Sequence, residues 1–480
     1  MESLKEKTAK GLLWGGIAGG ATQLLNALFG IVLGRLLTPA DYGMVAMLTI
    51  FSAIASALQE GGFISALNKR KHVTQEDYNS VFWFNVAVSL CIYLILFFSA
   101  PLIARFYHEP ALVPLSRFVF TAFVISALNI VPRAYLFREL KVKQTTVLSL
   151  LSLLVSGIVG IAMAALGMAY WGLAAQSVVF VSGLTIGSYV LTRWHPTLHF
   201  SLRPIREMFG FSSLLIVTNI FSIINNNLFS LLLGRFYGKV ETGNFSQGNK
   251  WNSMGSTLIT QTLQGVAQPV FAKLDDEARL LQALRKLLRF TACLTFPAML
   301  GLSLVAPEFI RLTIGPHWSD AASLLSLLCV WGAFVPLQQL LTNLLIARGR
   351  SKVYMWGTIL LAVFSLAVAL VMRPYGMEPM LRVFVIFNIL WTLFWQHYVC
   401  RETGLTLFRL LRDIAPYLLL AAALAVGLHV LAAALQLQNP WLAFAFKGGI
   451  MAAAYCLILY LSGSVIFREA LEYLFKRKKK

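Results

Sequence analysis

Polar residues recur along the otherwise apolar stretch 239–270, and their spacing places them on one face of an α-helix. The steps between neighbours are 4, 3, 4, 4, 3 and 4 residues, close to the helical repeat of about 3.6. Amides and hydroxyls can hydrogen-bond to hydroxyl-rich groups, and an ammonium group can pair with an anion. The members are Ser246, Lys250, Ser253, Thr257, Gln261, Gln264 and Gln268.

A second apolar stretch, 207–234, carries a shorter pattern of the same kind. Its members Asn219, Ser222, Asn226 and Ser230 also recur at helical spacing. Neither face can border lipid, because each unsatisfied polar group in hydrocarbon costs several kcal/mol. The two faces therefore line either a helix contact or a water-filled cavity, and the sequence leaves both interpretations open.

Five of the charged residues in or beside apolar stretches are candidates for a function. Lys250 is about 16 Å into its stretch at 1.5 Å per residue, where an ionised group costs roughly 2.5 kcal/mol or more. Arg35 and Arg235 either form a cationic rim or reach the lipid headgroups. Glu60 either pairs with a base or binds a proton or cation, and Lys447 either anchors a lipid phosphate or extends along its stem to the surface.

The composition requires a membrane around these residues. Of 480 residues, 58% are hydrophobic and only 12% are charged, whereas a water-soluble surface needs about 25% charge. The mean hydropathy is +0.72. The net charge of +20 does not indicate nucleic-acid binding, because the bases lie between apolar runs and form no basic stripe. We therefore expect an all-α integral membrane protein with no nucleic-acid partner.

Apolar runs long enough to cross a bilayer, about 20 residues each, number fourteen. When the first run is taken to leave the cytoplasm, 30 Lys and Arg residues fall on the cytoplasmic side and 8 on the other. This bias predicts cytoplasmic N- and C-termini. The runs are 11–37, 41–67, 79–104, 115–138, 145–166, 170–192, 207–234, 239–270, 286–305, 320–347, 353–372, 379–400, 413–435 and 440–466.

The two halves of the sequence repeat at an offset of 200. Leu-Gly-Arg at 33–35 returns at 233–235, and Gly43 returns as Gly243. Six spans separate the copies, so the repeat is parallel, as in transporters built from two lobes. Residues 1–200 would form an N-lobe of helices 1–6 and 201–402 a C-lobe of helices 7–12, while 403–480 would hold two extra helices and a basic cytoplasmic tail.

Neither an enzymatic nor a metal site is predicted. The longest outer loop, about 306–319, is too short for a catalytic domain, so no catalytic residue is assigned. His195 and His199 flank Pro196, which breaks the helix that a two-histidine metal site would need. No nucleotide-binding loop is present, and we expect no cofactor.

Four segments carry a resemblance to a known family. LGRLLTPADYGMVAM (Leu33–Met47), QEGGFISALNKRK (Gln59–Lys71) and YNSVFWFN (Tyr78–Asn85) resemble the N-terminal signature of bacterial polysaccharide exporters and O-antigen flippases. VAQPVFAKLDD (Val266–Asp276) resembles the same branch, which lies in the multidrug/oligosaccharidyl-lipid/polysaccharide (MOP) flippase superfamily. The resemblance implies a fold like that of the multidrug and toxin extrusion (MATE) transporters and a flippase in the bacterial cytoplasmic (inner) membrane. It would move undecaprenyl-pyrophosphate-linked oligosaccharide from the inner to the outer leaflet by alternating access, with polysaccharide-assembly proteins as partners.

Under this resemblance the polar residues acquire expected roles. Lys250, Arg35 and Arg235 would bind the pyrophosphate or acidic sugars, and Glu60 would couple the cycle to an H+ or Na+ gradient. Two alternatives stay open, a flippase for the lipid-linked peptidoglycan precursor and a cation-coupled drug antiporter of the same superfamily. The residues expected to bind sugar hydroxyls are Asn226, Gln261 and Gln264.

Overall fold

The computed structural model describes residues 4–60, 67, 73–139, 141–198, 200–274 and 276–469, without the side chains at 4–18, 60, 203–204, 207–218, 262–266, 268–269 and 272–273. The described residues form α-helices and contain no β-strand. The helices are α1 Leu4–Leu36, α2 Pro39–Glu60, α3 Gln75–Tyr107, α4 Leu112–Val119, α5 Thr121–Leu128, α6 Ile130–Arg138, α7 Val142–Ala165, α8 Tyr170–Thr192, α9 Leu202–Phe236, α10 Lys239–Lys273, α11 Glu277–Thr313, α12 Ser319–Gly332, α13 Val335–Ala347, α14 Ser351–Met372, α15 Met377–Thr403, α16 Leu407–Ala434 and α17 Pro440–Leu461.

The apolar runs of the sequence coincide with these helices. Every one of the fourteen predicted spans overlaps a described helix or a consecutive set of helices. By length and composition, ten stretches of the described residues could cross a membrane, or eleven if one bent set is counted as a single span. The expectation of an all-α membrane fold is therefore confirmed.

The bent span combines α4 and α5 with α6, which turns by 45°. Pro132 lies in the first turn of α6 and has no N–H to donate to the carbonyl of Leu128 one turn earlier. That carbonyl instead accepts a hydrogen bond of 3.0 Å from the hydroxyl of Tyr189. A side chain from α8 thus satisfies a backbone group that the proline leaves free inside the membrane.

The described chain divides into two compact units, Met1–Gly243 and Asn244–Lys480. The predicted boundary between the two lobes, 200/201, lies within the first unit. The reason is that α9 packs against α2 and α3, so contacts group it with the helices that precede it. The division into two six-helix lobes stays a prediction.

Small residues allow close packing in the first unit. Gly157 of α7 faces the ring of Phe29 on α1, where a β-carbon would overlap the ring. Along α7 and α8, Gly160 and Gly172 bring the two backbones together. Small residues at such positions give membrane helices their contact area, because the hydrophobic effect does not drive association inside lipid.

In the second unit α11 is the central helix and packs against α12, α16 and α17. Asp413 of α16, 1% exposed, accepts hydrogen bonds from Arg285 Nε at 2.6 Å and Arg285 Nη2 at 2.9 Å. Arg289 Nε donates to the same carboxylate at 2.6 Å. Helix α16 is thus fastened to α11 by charge as well as by packing.

Candidate functional site

The polar stripe predicted on 239–270 forms the accessible face of α10. Ser253 and Gln261 are exposed, while Ser246, Lys250 and Thr257 are partly exposed. The side chains of Gln264 and Gln268 lie outside the described residues. Every described member of the stripe is therefore at least partly exposed.

Lys250 is held beside an aromatic pair. Its Nζ lies 6.0 Å from the ring centroid of Trp251, near the limit for a cation–π contact. The Trp251 ring is 6% exposed and packs edge-to-face on Phe309 of α11, with ring centroids 5.0 Å apart. The tryptophan thus fixes the helix rotation that leaves Lys250 on the accessible side.

The opposite face of α10 carries buried amides that sequence reasoning missed. Asn244, Gln247 and Asn252 are at most 3% exposed. Both amide atoms of Gln247 and the Oδ1 atoms of Asn244 and Asn252 have no hydrogen-bond partner among the described residues. Gly248 lets this face approach the backbone of α12 at Ala321. The helical spacing of the three buried amides could have revealed this face. The amides lie among glycines and threonines, however, which weaken the pattern.

The second predicted pattern, on α9, is also accessible where its side chains are described. Asn219 and Asn226 are exposed, and Ser222 and Ser230 are partly exposed. Asn227, which lies beside the pattern, instead donates from Nδ2 to the Ile223 carbonyl at 2.9 Å. Asn226 therefore keeps its amide at an accessible surface, as a residue that binds hydroxyl groups requires.

The two symmetric arginines lie in different surroundings. Arg35 is exposed at the end of α1. Arg235, at the end of α9, donates to the Phe106 carbonyl at 2.7 Å, and its Nη1 lies 2.9 Å from Nδ1 of His108. The guanidinium also lies over the Phe106 ring, 5.2 Å from its centroid. Arg235 thus fastens the end of α9 to the end of α3, a contact that the sequence did not predict.

A second contact fastens the same region. Lys239, the first residue of α10, forms an ion pair with Glu109, Nζ to Oε1 at 3.0 Å. We call the contacts of Arg235 and Lys239 with residues 106–109 the α3–α9/α10 clasp.

Beside the clasp, the repeat appears in the structure as a reciprocal contact. A β-carbon on Gly43 would overlap the carbonyl of Lys239, and one on Gly243 would overlap the carbonyl of Pro39. Positions 39 and 239, like 43 and 243, are related by the offset of 200. The first turns of α2 and α10 therefore cross in backbone contact at equivalent glycines.

The remaining predicted residues are placed as follows. The side chain of Glu60 lies outside the described residues, so its predicted role stays a prediction. Lys447 forms an ion pair with Glu308 of α11 at 2.6 Å, and its side chain is only 10% exposed. The expectation that it reaches lipid phosphate or the surface is therefore wrong, because a carboxylate of α11 holds it. In the described part of the chain, no group of three or more His, Cys, Asp or Glu residues could hold a metal ion.

Comparison with known proteins identifies relatives of this chain. A family model described as polysaccharide biosynthesis protein matches residues 32–323. The lipopolysaccharide biosynthesis protein WzxC of Escherichia coli (strain K12) is 26% identical over 356 residues, which are 72% of this chain and 71% of that protein. The teichuronic acid biosynthesis protein TuaB of Bacillus subtilis (strain 168) is 23% identical over 430 residues, 89% of each.

A solved structure agrees in fold. The lipid II flippase MurJ in an inward closed conformation superposes with a TM-score of 0.75 at 14% identity, covering 94% of this chain and 99% of that one. The family match contains all four segments on which the resemblance rests. The resemblance is confirmed, and the chain belongs to the family of polysaccharide biosynthesis proteins.

Proposed function

We propose that the chain is a secondary transporter that flips undecaprenyl-pyrophosphate-linked oligosaccharide from the inner to the outer leaflet of the bacterial cytoplasmic membrane. The observation that carries the proposal is the accessible polar face of α10 with Lys250 in it. An ionised lysine and a row of hydroxyls and amides are stable within a membrane only where water or a polar substrate meets them.

The energetics of the substrate explain why such a face is needed. Each hydroxyl group moved from water into hydrocarbon without a partner costs about 4–8 kcal/mol. Several sugars and a pyrophosphate would therefore face a barrier of tens of kcal/mol. A hydrated path lined by amides, hydroxyls and bases replaces the lost water, while the prenyl chain stays in lipid.

The proposed architecture has fourteen crossings. Ten helical stretches and the bent span account for eleven, and α1, α9 and α10 provide the other three. These three helices have 33, 35 and 35 residues, and at 1.5 Å per residue each exceeds the hydrocarbon thickness of about 30 Å. Both termini would be cytoplasmic. Rocking of lobes 1–200 and 201–402 would provide alternating access, with 403–480 appended to the second.

Residue roles follow from charge and accessibility. Lys250, with Arg35 and Arg235, would bind the pyrophosphate or acidic sugars, because bases attract an anion into the path. Glu60 is the proposed coupling residue for an H+ or Na+ gradient. The proposed hydroxyl-binding residues are Asn226, Gln261 and Gln264.

The names of the relatives support the proposed class of substrate. One is named for lipopolysaccharide biosynthesis and the other for teichuronic acid biosynthesis, which are different polymers. Under this proposal, the synthesis of both polymers uses a lipid-linked saccharide. Polysaccharide-assembly proteins are the proposed partners, and transport without catalysis is the proposed activity.

The test reconstitutes the full chain into liposomes with a fluorescent undecaprenyl-pyrophosphate-linked oligosaccharide and follows its accessibility in the outer leaflet. We expect Lys250→Ala to slow flipping at least about tenfold, since hydrogen bonds to charged groups contribute about 1.5–3 kcal/mol. Lys250→Arg should retain most of the rate. Lys352→Ala, which removes an exposed lysine at the start of α14, is the matched control.

Parental flipping by a correctly inserted Lys250→Ala variant would contradict the role of this lysine. Liposomes that hold the lipid-linked peptidoglycan precursor, or a cationic drug with an ion gradient, test the two alternatives. If either is moved and the oligosaccharide is not, the proposed substrate is wrong.

A further inference from the structure

A polar cavity of about 330 Å³ lies among α11, α16 and α17 in the second unit. None of the residues assigned above to substrate binding lines it. Its polar lining combines a carboxylate, an ammonium, an imidazole and two amides, with alanines between them. The polar residues are Glu308, His429, Gln436, Gln438 and Lys447.

An ion pair with unfilled hydrogen-bonding capacity lies against this cavity. Lys447 Nζ donates to Glu308 Oε1 at 2.6 Å, and the two side chains are 10% and 14% exposed. An ammonium group has three N–H groups, and this bond uses one of them. Oε2 of Glu308 is buried without a hydrogen-bond partner among the described residues. A small shift at the cavity would thus offer a ligand a donor and an acceptor side by side.

A donor on Lys447 and an acceptor on Glu308, side by side, determine which kind of ligand the cavity can bind. A phosphate would be repelled by the carboxylate, and a metal cation by the ammonium. A hydroxyl group can both donate and accept, so one hydroxyl, or two on neighbouring carbons, fits both partners. His429, Gln436 and Gln438 add exposed polar groups at the mouth.

The depth and the volume of the cavity restrict the kind of ligand further. Lys447 lies seven residues after Pro440 at the start of α17, about 10 Å along the helix, which is near the depth of lipid headgroups. The loop before α17 lies on the face that the charge count assigns to the outside. The cavity is at the small end of the range for small-molecule sites, about 300–1,000 Å³, which suits one sugar unit rather than a polymer.

We propose that this cavity binds the vicinal hydroxyl groups of a sugar or polyol at the outer face of the membrane. The inference rests on the proposed function and deepens it, since the cavity would receive a sugar of the saccharide after flipping. The same hydroxyl chemistry has a second source, the glycerol headgroup of phosphatidylglycerol.

The first arm measures sugar binding directly. The full chain in phosphatidylcholine nanodiscs is titrated with methyl glycosides of glucose, galactose and mannose, and binding is followed by saturation-transfer NMR. We expect Glu308→Gln combined with Lys447→Gln to weaken binding at least tenfold. The control is Glu378→Gln with Arg382→Gln, which removes the exposed ion pair of α15.

The second arm tests the lipid source by native mass spectrometry after exchange into phosphatidylglycerol or phosphatidylcholine. Selective retention of phosphatidylglycerol that the Glu308/Lys447 variant loses, without glycoside binding, assigns the cavity to the headgroup. Glycoside binding that the variant loses assigns it to the saccharide. Absence of both, or binding unchanged in the variant, overturns the proposal.

A third variant covers the case in which the double variant does not fold. His429→Ala changes an exposed side chain at the mouth and should weaken whichever ligand binds by about threefold without changing thermal stability. Unchanged binding in this variant counts against the proposal. Loss of flipping would overturn the proposed function but leaves these binding measurements intact, so the two failures are distinguishable.

Discussion

Gly43 and Gly243 allow two helices to come into backbone contact because neither residue has a side chain. Gly43 lies against the backbone carbonyl of Lys239, and Gly243 lies against that of Pro39. Positions 39 and 239 are equivalent in the repeat. A β-carbon at either site would require the crossing helices α2 and α10 to separate. Overpacking of this kind typically costs about 1–3 kcal/mol.

We therefore expect Gly43→Ala and Gly243→Ala each to lower the thermal unfolding midpoint in detergent, and by similar amounts because the contact is reciprocal. Gly427→Ala is the control, since nothing lies within 4 Å of a β-carbon at that position of α16. Midpoints equal to that of the control would show that α2 and α10 are not in contact at these glycines.

Sequence reasoning located these residues but could not show what they touch. The offset of 200 identified Gly43 and Gly243 as equivalents, yet a repeat does not reveal which copies meet. The partner of Lys447 was also hidden, because Glu308 is 139 residues away and no local spacing connects them. Lys250 was predictable, since helical periodicity alone places it on the polar face.

Among the helices, α16 depends on a charge cluster for its position. Asp413 is 1% exposed and accepts from both Arg285 and Arg289, whose side chains are 28% and 41% exposed. Removal of one partner from a buried pair leaves the other charges without compensation, which costs up to about 3–5 kcal/mol when all groups are buried. The partial exposure of the arginines reduces this cost.

We expect Asp413→Asn to lower the free energy of unfolding by about 2 kcal/mol and to expose α16 to limited proteolysis. Glu402→Gln provides the comparison. It disrupts the ion pair with Arg350 at 2.8 Å, in which the side chains are 57% and 21% exposed, and such a pair contributes about 0–1 kcal/mol. If both variants lose the same stability, the cluster is not what holds α16.

The positions of the helices were largely predictable from the sequence, and the bends between them were not. Apolar length located the ten or eleven stretches of the described residues that could cross a membrane, because the bilayer demands about 20 such residues. At the 45° turn before α6, the hydroxyl of Tyr189 donates to the Leu128 carbonyl. The donor to this carbonyl comes from another helix, so Pro132 alone could not reveal the direction of the turn.

For the whole molecule, the α3–α9/α10 clasp bears on the transport cycle. Arg235 and Lys239 connect the start of the second repeat to residues 106–109. In the proposed topology these contacts lie on the outer side. Outward opening during alternating access would then have to release them.

We expect a flexible thiol cross-link between Glu109→Cys and Lys239→Cys to stop flipping, and reductive cleavage of the linker to restore it. The background replaces the five native cysteines, of which Cys91 and Cys456 are exposed. The control links Arg350→Cys to Glu402→Cys, a pair on the other side of the membrane in the proposed topology. Undiminished flipping by the cross-linked clasp would show that it does not open.

The division of the chain into two six-helix lobes stays a prediction. The repeat suggested a boundary at 200/201, whereas contacts divide the chain at Gly243 and Asn244. Repeats record how a sequence was assembled, but contacts also record which helices happen to lie together in one conformation. The packing of α9 on α2 and α3 is a tertiary outcome of this kind.

The pair of Glu308 and Lys447 also constrains the biogenesis of the protein. Synthesis proceeds from the N-terminus, so Glu308 leaves the ribosome 139 residues before Lys447. A lysine in a spanning helix adds up to about 2.5–3.5 kcal/mol to the cost of insertion by the translocon. We therefore expect the carboxylate that α11 has already delivered to offset part of this cost when α17 enters the bilayer.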